Sequence, residues 1–237
     1  MAKASKQTNT YVTPKGEVLF PHIVTIDYGT DKYPCREGRF RTSLCLYPRE
    51  AEALKQKLAD EIANAKAFVE EKFNSLKPAT RSKLGGTYRF NELGEEEYDR
   101  DENPTGRIKF TFKSNAFYET KQGQKKQRVI PVFDSMAQPV RLKEELGNGS
   151  EVKIAFSCSP YFIEGSGLGG LTLWLNAVQI VKLVKSGQRD AKDYGFGEEE
   201  DGSFVTDNST PEDMEVFDSG NNGSANSGAA GESEGDF

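Results

Sequence analysis

The most restrictive feature of this sequence is its division into a basic body and an acidic C-terminal stretch. Residues 193–237 contain 13 Asp and Glu and no Lys or Arg. Residues 1–192 contain all 31 Lys and Arg against 24 Asp and Glu, a formal net charge of +7. A stretch with few apolar residues and many like charges cannot bury enough surface to fold. The sequence therefore predicts that the fold is confined to the basic body and that residues 193–237 form a disordered acidic tail.

The basic body is predicted to be one domain that spans residues 17–192. Residues 1–16 are polar and are expected to form a flexible N-terminal arm. No stretch reaches the roughly 18 apolar residues that a transmembrane helix needs, so no membrane association is expected. The three cysteines, Cys35, Cys45 and Cys158, are odd in number and widely spaced. This pattern indicates free thiols in a reducing cytosol rather than a disulfide framework.

Most of the domain has the pattern of β-strands, which alternate apolar and polar residues and end at turn-forming residues. In GRFRTSLCLYP, for example, Phe40 and Leu44 share one face, whereas Arg39 and Arg41 share the other. The six predicted strands cover residues 18–29, 38–48, 107–113, 127–134, 150–162 and 171–184.

One long amphipathic helix is predicted at residues 48–78, between two prolines. Its apolar residues recur at spacings of three or four, which places them on one face. This face is expected to pack on the strands; a dimerisation seam is the alternative. Residues 77–106 are predicted to be a long connection with little regular structure. The fold class is therefore mostly β, a barrel with one long helix after the second strand. The apolar stripe consists of Leu54, Leu58, Ile62, Ala65, Val69, Phe73 and Leu76.

Enzymatic signals in the sequence are weak. His22 is the only histidine and lies within an apolar strand, and no Cys or His grouping has zinc spacing. GSGLGG at 165–170 fits a dinucleotide-binding string, but a strand rather than a helix follows it, so it is interpreted as a hairpin loop. We therefore predict no catalytic residue, metal or cofactor. The alternative is a metal-dependent nuclease that uses carboxylates such as Asp27 and Asp134.

Cationic side chains and aromatic rings recur on the predicted outer faces of the strands. Arg39 and Arg41 share one such face, and Lys109 and Lys113 share another, because alternate side chains of a strand project to the same side. Alternation also implies that about half of the neighbouring aromatic residues belong to the core. The candidate DNA-binding residues are Tyr33, Arg39, Arg41, Lys109, Lys113, Phe117, Tyr118, Lys125, Lys126, Arg128, Lys153, Tyr161 and Phe162.

A cationic groove with aromatic platforms is suited to unpaired DNA. Phosphates supply a salt-sensitive attraction to Lys and Arg. Exposed bases stack on aromatic rings at roughly 1–3 kcal/mol per base, whereas a duplex hides the faces of its bases. Small β-barrels of the OB type present such grooves.

The acidic tail resembles a chain of phosphates in its charge. It is therefore predicted to occupy the cationic groove when DNA is absent. Its last residues, Asp236 and Phe237, combine an aromatic ring with acids and are predicted to bind a partner protein. The alternative is a solubilising tail with an incidental terminal Phe.

The order of these segments resembles a known family. IDYG is followed by GRFRTSLCLYP, a long helix, GRIKFTFKSNAFY, VIPVFDS, SCSPYF and LWLNAVQIVKLV. Together with the initial MAK and the acidic tail that ends in Asp-Phe, this order resembles the single-stranded DNA-binding protein family of T-odd podophages. The resemblance covers most of residues 17–185 and the extreme C-terminus.

The resemblance implies an OB fold, with a helix after the second strand, that binds single-stranded DNA without sequence choice and promotes annealing. It implies a role in phage replication and recombination, in the cytoplasm of the infected bacterial host. It also implies that the tail contacts the phage DNA polymerase and helicase-primase and mediates a homodimer. Tyr161 stands where the family has a Pro-Tyr pair at the DNA site, and Tyr118 matches an aromatic position of the family in the strand after the Lys-rich one. A nuclease, or an adaptor that binds proteins only, remains the alternative.

Overall fold

The computed structural model of the protein describes residues 9–185, and strands dominate this part of the chain. The strands are β1 (Thr10–Val12), β2 (Gly16–Gly29), β3 (Pro34–Leu46), β4 (Arg89–Asn91), β5 (Glu95–Tyr98), β6 (Pro104–Asn115), β7 (Phe117–Glu119), β8 (Lys125–Gln127), β9 (Val132–Phe133), β10 (Pro139–Val140), β11 (Glu151–Ile163) and β12 (Leu168–Lys182). The helices are α1 (Pro48–Lys57), α2 (Ala59–Ser75) and α3 (Pro78–Lys83).

Five long strands close into a barrel. The hydrogen-bonded order is β2–β3–β6–β12–β11, and β11 pairs again with β2. All neighbours are antiparallel except β6 and β12, which are parallel. The predicted mostly β barrel is therefore confirmed, and the predicted strand segments at 18–29, 38–48, 107–113, 150–162 and 171–184 supply its walls.

Alternation along the barrel strands determines the core. Phe40 and Leu44 of β3 are buried, as the sequence predicted, and Arg39 and Arg41 between and beside them are partly exposed. Aromatic side chains from different strands meet inside the barrel and fill its interior. Phe112 of β6 and Phe156 of β11, for example, meet edge to face with centroids 5.1 Å apart. Such pairs add to the stabilisation that burial provides.

The single helix predicted at 48–78 is only partly confirmed, because the chain leaves helical geometry at Leu58 (φ −98°, ψ 9°). The segment becomes α1 and α2, and α3 follows after Pro78. α1 packs against β3 and β6, whereas α2 packs against β11 and β12. The break lets one apolar stripe cover different walls of the barrel. Leu58 and Val69 of this stripe are fully buried on the body.

The prediction that residues 77–106 form a long connection with little regular structure is wrong. This segment contains α3, β4 and β5, with β4 parallel to β12 and β5 antiparallel to β6. The strand EEEY lacks apolar alternation, but its acids face a basic strand. Glu97 is buried and accepts hydrogen bonds from Arg107, and Glu95 lies opposite Lys109. Cross-strand charge pairs thus replace apolar contacts in this hairpin.

Two further boundaries differ from the sequence expectations. The predicted strand at 127–134 is interrupted, and only Val132–Phe133 joins the large sheet, because Pro131 has no N–H to donate. Within the range 1–16, predicted as an arm, Thr10–Val12 forms β1 and pairs with β11.

GSGLGG spans the β11–β12 turn, as predicted for a hairpin loop. The three cysteines are free, and burial raises the pKa of Cys45 and Cys158 to about 12. Of the helices in residues 9–185, none is long and apolar enough to cross a membrane.

Candidate nucleic-acid interface

Cationic and aromatic side chains line up across the outside of the barrel. Arg41 of β3 lies opposite Lys113 of β6, Lys113 lies beside Trp174 of β12, and Trp174 lies opposite Ser157 of β11. Each of these residues alternates with buried neighbours on its strand, so its side chain projects outward. We call this surface the four-strand outer face. It brings together the predicted residues Arg41 and Lys113.

Trp174 was not among the DNA-binding residues predicted from the sequence. The signal was present, since Leu173 and Leu175 are the buried positions of LTLWLNAV and the intervening Trp must face outward. The indole is partly exposed, and its Nε1 donates a hydrogen bond to Ser159 Oγ at 2.6 Å. Alternation alone would therefore have been enough to propose Trp174 as a candidate binding residue on the outer face.

Tyr161 and Lys109 border a second part of the same surface. They line a groove of 140 Å³ together with Thr111. Asn91 of β4 donates a hydrogen bond to the Tyr161 hydroxyl at 3.2 Å. The ring also lies close to Gly170, where an added Cβ would come within 2.9 Å of the hydroxyl oxygen. Lys109 Nζ lies 3.4 Å from Glu95, so its charge is partly compensated.

A buried carboxylate organises the two predicted arginines. Asp27 of β2 is 7% exposed, and its Oδ2 accepts a hydrogen bond from Arg39 Nε at 2.9 Å. Arg41 Nε lies 3.0 Å from the same oxygen, as an ion pair without hydrogen-bond alignment. Burial raises the pKa of Asp27, but the Gly29 N–H and the two guanidinium groups outweigh this, and the pKa lies below its ordinary value.

The β7–β8 hairpin carries another group of predicted residues. Lys125 Nζ lies 4.8 Å from the ring centroid of Phe117, and the Arg128 guanidinium lies 5.6 Å from that of Tyr118. Phe117 packs partly against the core, whereas Tyr118 is 44% exposed. Lys126 lies opposite Tyr118 and is exposed. A groove of 210 Å³ at this hairpin also includes Asn115, the β6 partner of Arg39, so the hairpin continues the four-strand outer face.

Three predicted residues lie toward the margins. Tyr33 is 72% exposed in the turn that precedes β3, with Lys32 Nζ 5.5 Å from its ring centroid. Lys153 lines a separate trough of 260 Å³ near the other end of β11. Phe162 points to the opposite side of β11 from Tyr161, since its partner Gly169 lies against Val69 of α2.

The carboxylates considered for a nuclease have local partners. Asp27 binds the two arginines, and Asp134 Oδ1 accepts hydrogen bonds from the N–H groups of Met136 and Gln138 in a turn. Within residues 9–185, no group of three or more His, Cys, Asp or Glu is placed to hold a metal ion. Asp236 and Phe237, predicted to bind partners, lie outside the described residues.

The closed order of the five strands defines an OB fold. OB folds in general bind ligands on the face of their second and third strands. The helices follow the second barrel strand, β3, as the resemblance implied. A family model described as the single-stranded DNA-binding protein of bacteriophage T7 matches residues 18–183. The chain belongs to this family.

The chain is similar to solved structures of phage single-stranded DNA-binding proteins. The crystal structure of gp2.5, a single-stranded DNA-binding protein encoded by bacteriophage T7, is similar with a TM-score of 0.59 and 19% sequence identity. The match covers 84% of this chain and 100% of gp2.5. The single-stranded DNA-binding protein of bacteriophage Enc34 in complex with ssDNA has a TM-score of 0.46 and 13% identity, over 79% of this chain and 97% of that one. A comparison with curated protein sequences found no match.

Proposed function

We propose that this chain binds single-stranded DNA without sequence choice, and that it does so during phage DNA replication and recombination. The observation that carries the proposal is the row of Arg41, Lys113 and Trp174 across adjacent strands of an OB barrel. Membership of the phage single-stranded DNA-binding family supports the same conclusion.

The chemistry of the four-strand outer face suits a flexible polyanion with exposed bases. The ammonium and guanidinium groups attract phosphates, and this attraction has no sequence preference. Tyr161 presents a ring beside Lys109 and Tyr118 presents one beside Arg128. Every base has a face that can stack on a ring. Neither kind of contact reads the edges of bases, so binding is independent of sequence.

The acidic tail adds three proposed activities. Its 13 acids, against a body of net charge +7, support competition with DNA for the cationic face. The terminal Asp236 and Phe237 are proposed to bind the phage DNA polymerase and helicase-primase, and the tail is proposed to mediate a homodimer. The chain is also proposed to promote the annealing of complementary single strands, and to act in the cytoplasm of the infected bacterial host.

A titration of labelled oligonucleotides tests the DNA-binding function. Fluorescence anisotropy should show similar affinity for several single-stranded sequences and much weaker binding to the matching duplex. A parallel incubation with Mg²⁺ should leave the oligonucleotides intact. Digestion would favour the nuclease that uses Asp27 or Asp134, and failure to bind any DNA would favour an adaptor that binds proteins only.

A further inference from the structure

Trp174 occupies an outward position that packing alone does not explain. The residues on either side of it, Leu173 and Leu175, are 3% and 1% exposed and fill the barrel, whereas the indole lies on the outside and is partly exposed. The chain gains more from an apolar ring that is removed from water than from one left at the surface. An outward Trp in the middle of a cationic face therefore points to a ligand.

The indole is held in one orientation. Its N–H donates to Ser159 Oγ at 2.6 Å, which fixes the edge of the ring that carries the nitrogen. Ser159 and Tyr161 lie two residues apart on β11, so both face outward. The rings of Trp174 and Tyr161 consequently flank Ser159 on one surface. A ring that is already ordered loses little conformational freedom when a ligand binds.

Lys113 is the cation beside this ring, and it differs from Arg39, Arg41 and Lys109. Arg39 and Arg41 share Asp27, and Lys109 has Glu95. Within the part of the chain that the structure describes, no Asp or Glu forms an ion pair with Lys113. Lys113 is exposed and in register with Trp174. An uncompensated cation next to an ordered ring matches the phosphate and the base of one nucleotide.

We propose that Trp174 stacks on a base at the centre of the four-strand outer face and that Lys113 binds a phosphate beside it. Ser159 is the positioning residue that orients the indole. The inference rests on the proposed binding of single-stranded DNA and adds the subsite around which that binding is centred.

The intrinsic fluorescence of the full-length chain tests the stacking directly. Trp174 is the only Trp among the 237 residues, so indole emission reports on this position alone. Oligo(dT) should quench the emission in proportion to the bound fraction that anisotropy measures on the labelled oligonucleotide. Unchanged emission at saturated binding would overturn the stacking role and leave the proposed function intact. If no binding occurs, both proposals are overturned.

Variants separate stacking from stability. Trp174→Ala should weaken oligo(dT) binding about 5- to 150-fold, whereas Trp174→Phe, which keeps a ring, should lose much less. Thermal melting of both variants identifies any loss of folded protein. If Trp174→Ala does not fold, Trp174→Phe tests the stacking role instead, because it removes the Nε1 donor but retains a ring on which a base can stack. Wild-type affinity in folded Trp174→Ala would contradict the proposal.

Two further variants test the neighbours. Lys113→Gln should cost less affinity in the Trp174→Ala background than in the wild type, since the two side chains hold one nucleotide. Strictly additive losses would contradict a shared subsite. Ser159→Ala should weaken binding and reduce the quenching, and Ser159→Thr, which keeps the hydroxyl, should restore both. Full quenching in Ser159→Ala would remove Ser159 from the positioning role.

Discussion

The carboxylate of Asp27 accepts a hydrogen bond from Arg39 Nε at 2.9 Å, beneath the surface that is proposed to bind DNA. Asp27 is buried, and the side chain of Arg39 is 35% exposed. The carboxylate therefore compensates part of the positive charge that a phosphate would meet. It also limits the positions that the guanidinium can adopt. Asp27 is thus expected to moderate DNA affinity while it orders the arginines.

Asp27→Asn should strengthen single-stranded DNA binding and lower stability. Removing the carboxylate frees Arg39 and Arg41 for phosphates, and each added phosphate contact steepens the slope of log K against log salt by about 0.7. The free energy of unfolding should fall by about 1–2 kcal/mol. The loss is limited because Arg39 and Arg41 are partly exposed, so water replaces part of the interaction that each guanidinium makes with the carboxylate. Anisotropy titrations over a salt series and urea denaturation measure the two effects.

Asp99→Asn is the matched control, because it removes the same charge from an exposed turn, where Asp99 accepts hydrogen bonds from the N–H groups of Asp101 and Asn103. Its salt slope should stay at the wild-type value. An equal change of slope in both variants would show that only the total charge matters.

Glu97 should make stability depend on pH. Burial raises the pKa of this carboxyl, but hydrogen bonds from Arg107 and Thr105 outweigh it, and the pKa lies below its ordinary value of 4.5. As pH falls, the unfolded chain is therefore the first to bind the proton. The stabilisation is complete above the ordinary value and is lost as pH falls through the folded pKa.

Glu97→Gln should accordingly lower the free energy of unfolding by about 1–3 kcal/mol near neutral pH and flatten its decline in acid. Urea denaturation at a series of pH values measures both. Glu95→Gln serves as the control, since the Glu95 side chain is 74% exposed and should contribute little. An acid decline as steep in Glu97→Gln as in the wild type would assign the pH dependence to other groups.

Lys113→Gln should weaken all single-stranded sequences alike and reduce the magnitude of the salt slope by about 0.7. Lys109→Gln should have a smaller effect, because Glu95 already compensates Lys109. Lys72→Gln, on the exposed side of α2, is the control and should bind as the wild type does. Anisotropy titrations of the three variants should give the lowest affinity for Lys113→Gln and the highest for Lys72→Gln. A larger loss of affinity in Lys109→Gln than in Lys113→Gln would contradict the account.

Tyr118 and Tyr161 should respond differently to truncation. Tyr118→Ala should cost roughly 1–3 kcal/mol of single-strand affinity with little change in melting temperature, because the ring is exposed. Tyr161→Ala should lose both affinity and stability, since its ring packs near Gly170 and its hydroxyl bonds to Asn91. Tyr161→Phe, which removes the hydroxyl alone, should retain stacking. Lost stability with undiminished binding in Tyr161→Ala would count against its stacking role.

The tail predictions concern residues outside the described part of the chain. Deletion of residues 193–237 should strengthen single-strand binding at low salt, and the gain should shrink as salt screens the charges. Phe237→Ala removes no charge, so DNA affinity should stay constant while binding to phage polymerase and helicase-primase falls. Sedimentation of both variants tests the proposed homodimer. Equal DNA affinity with and without the tail at low salt would refute competition.

Alternation was sufficient to predict the barrel walls. Phe40 and Leu44 face inward and Arg41 faces outward as expected, because a half-buried strand shows its two faces directly in the sequence. The closed order of the strands and its parallel β6–β12 pair could not be obtained from alternation, since pairing joins residues that are distant along the chain. The resemblance to the phage family supplied the OB fold and the helix after the second strand, but not the order of the strands.

The missed features depend on contacts between distant segments. EEEY has no strand pattern until Arg107 and Lys109 lie opposite its acids, and the break at Leu58 arises because α1 and α2 cover different walls. The Asp27 interaction joins two strands through side chains and leaves no periodic signal. Trp174 is different, since its outward position was predictable and only its alignment with Lys113 needed the structure.

Photo-crosslinking tests most directly whether the four-strand outer face is the DNA-binding surface. An oligo(dT) that contains iodouracil would be irradiated with the full-length protein, and the modified residues would be mapped by mass spectrometry. The account predicts crosslinks at Trp174, Tyr161 and Tyr118, which lie along the surface that includes Arg41 and Lys113. Crosslinks confined to α1, α2 and α3, with none at these rings, would contradict it.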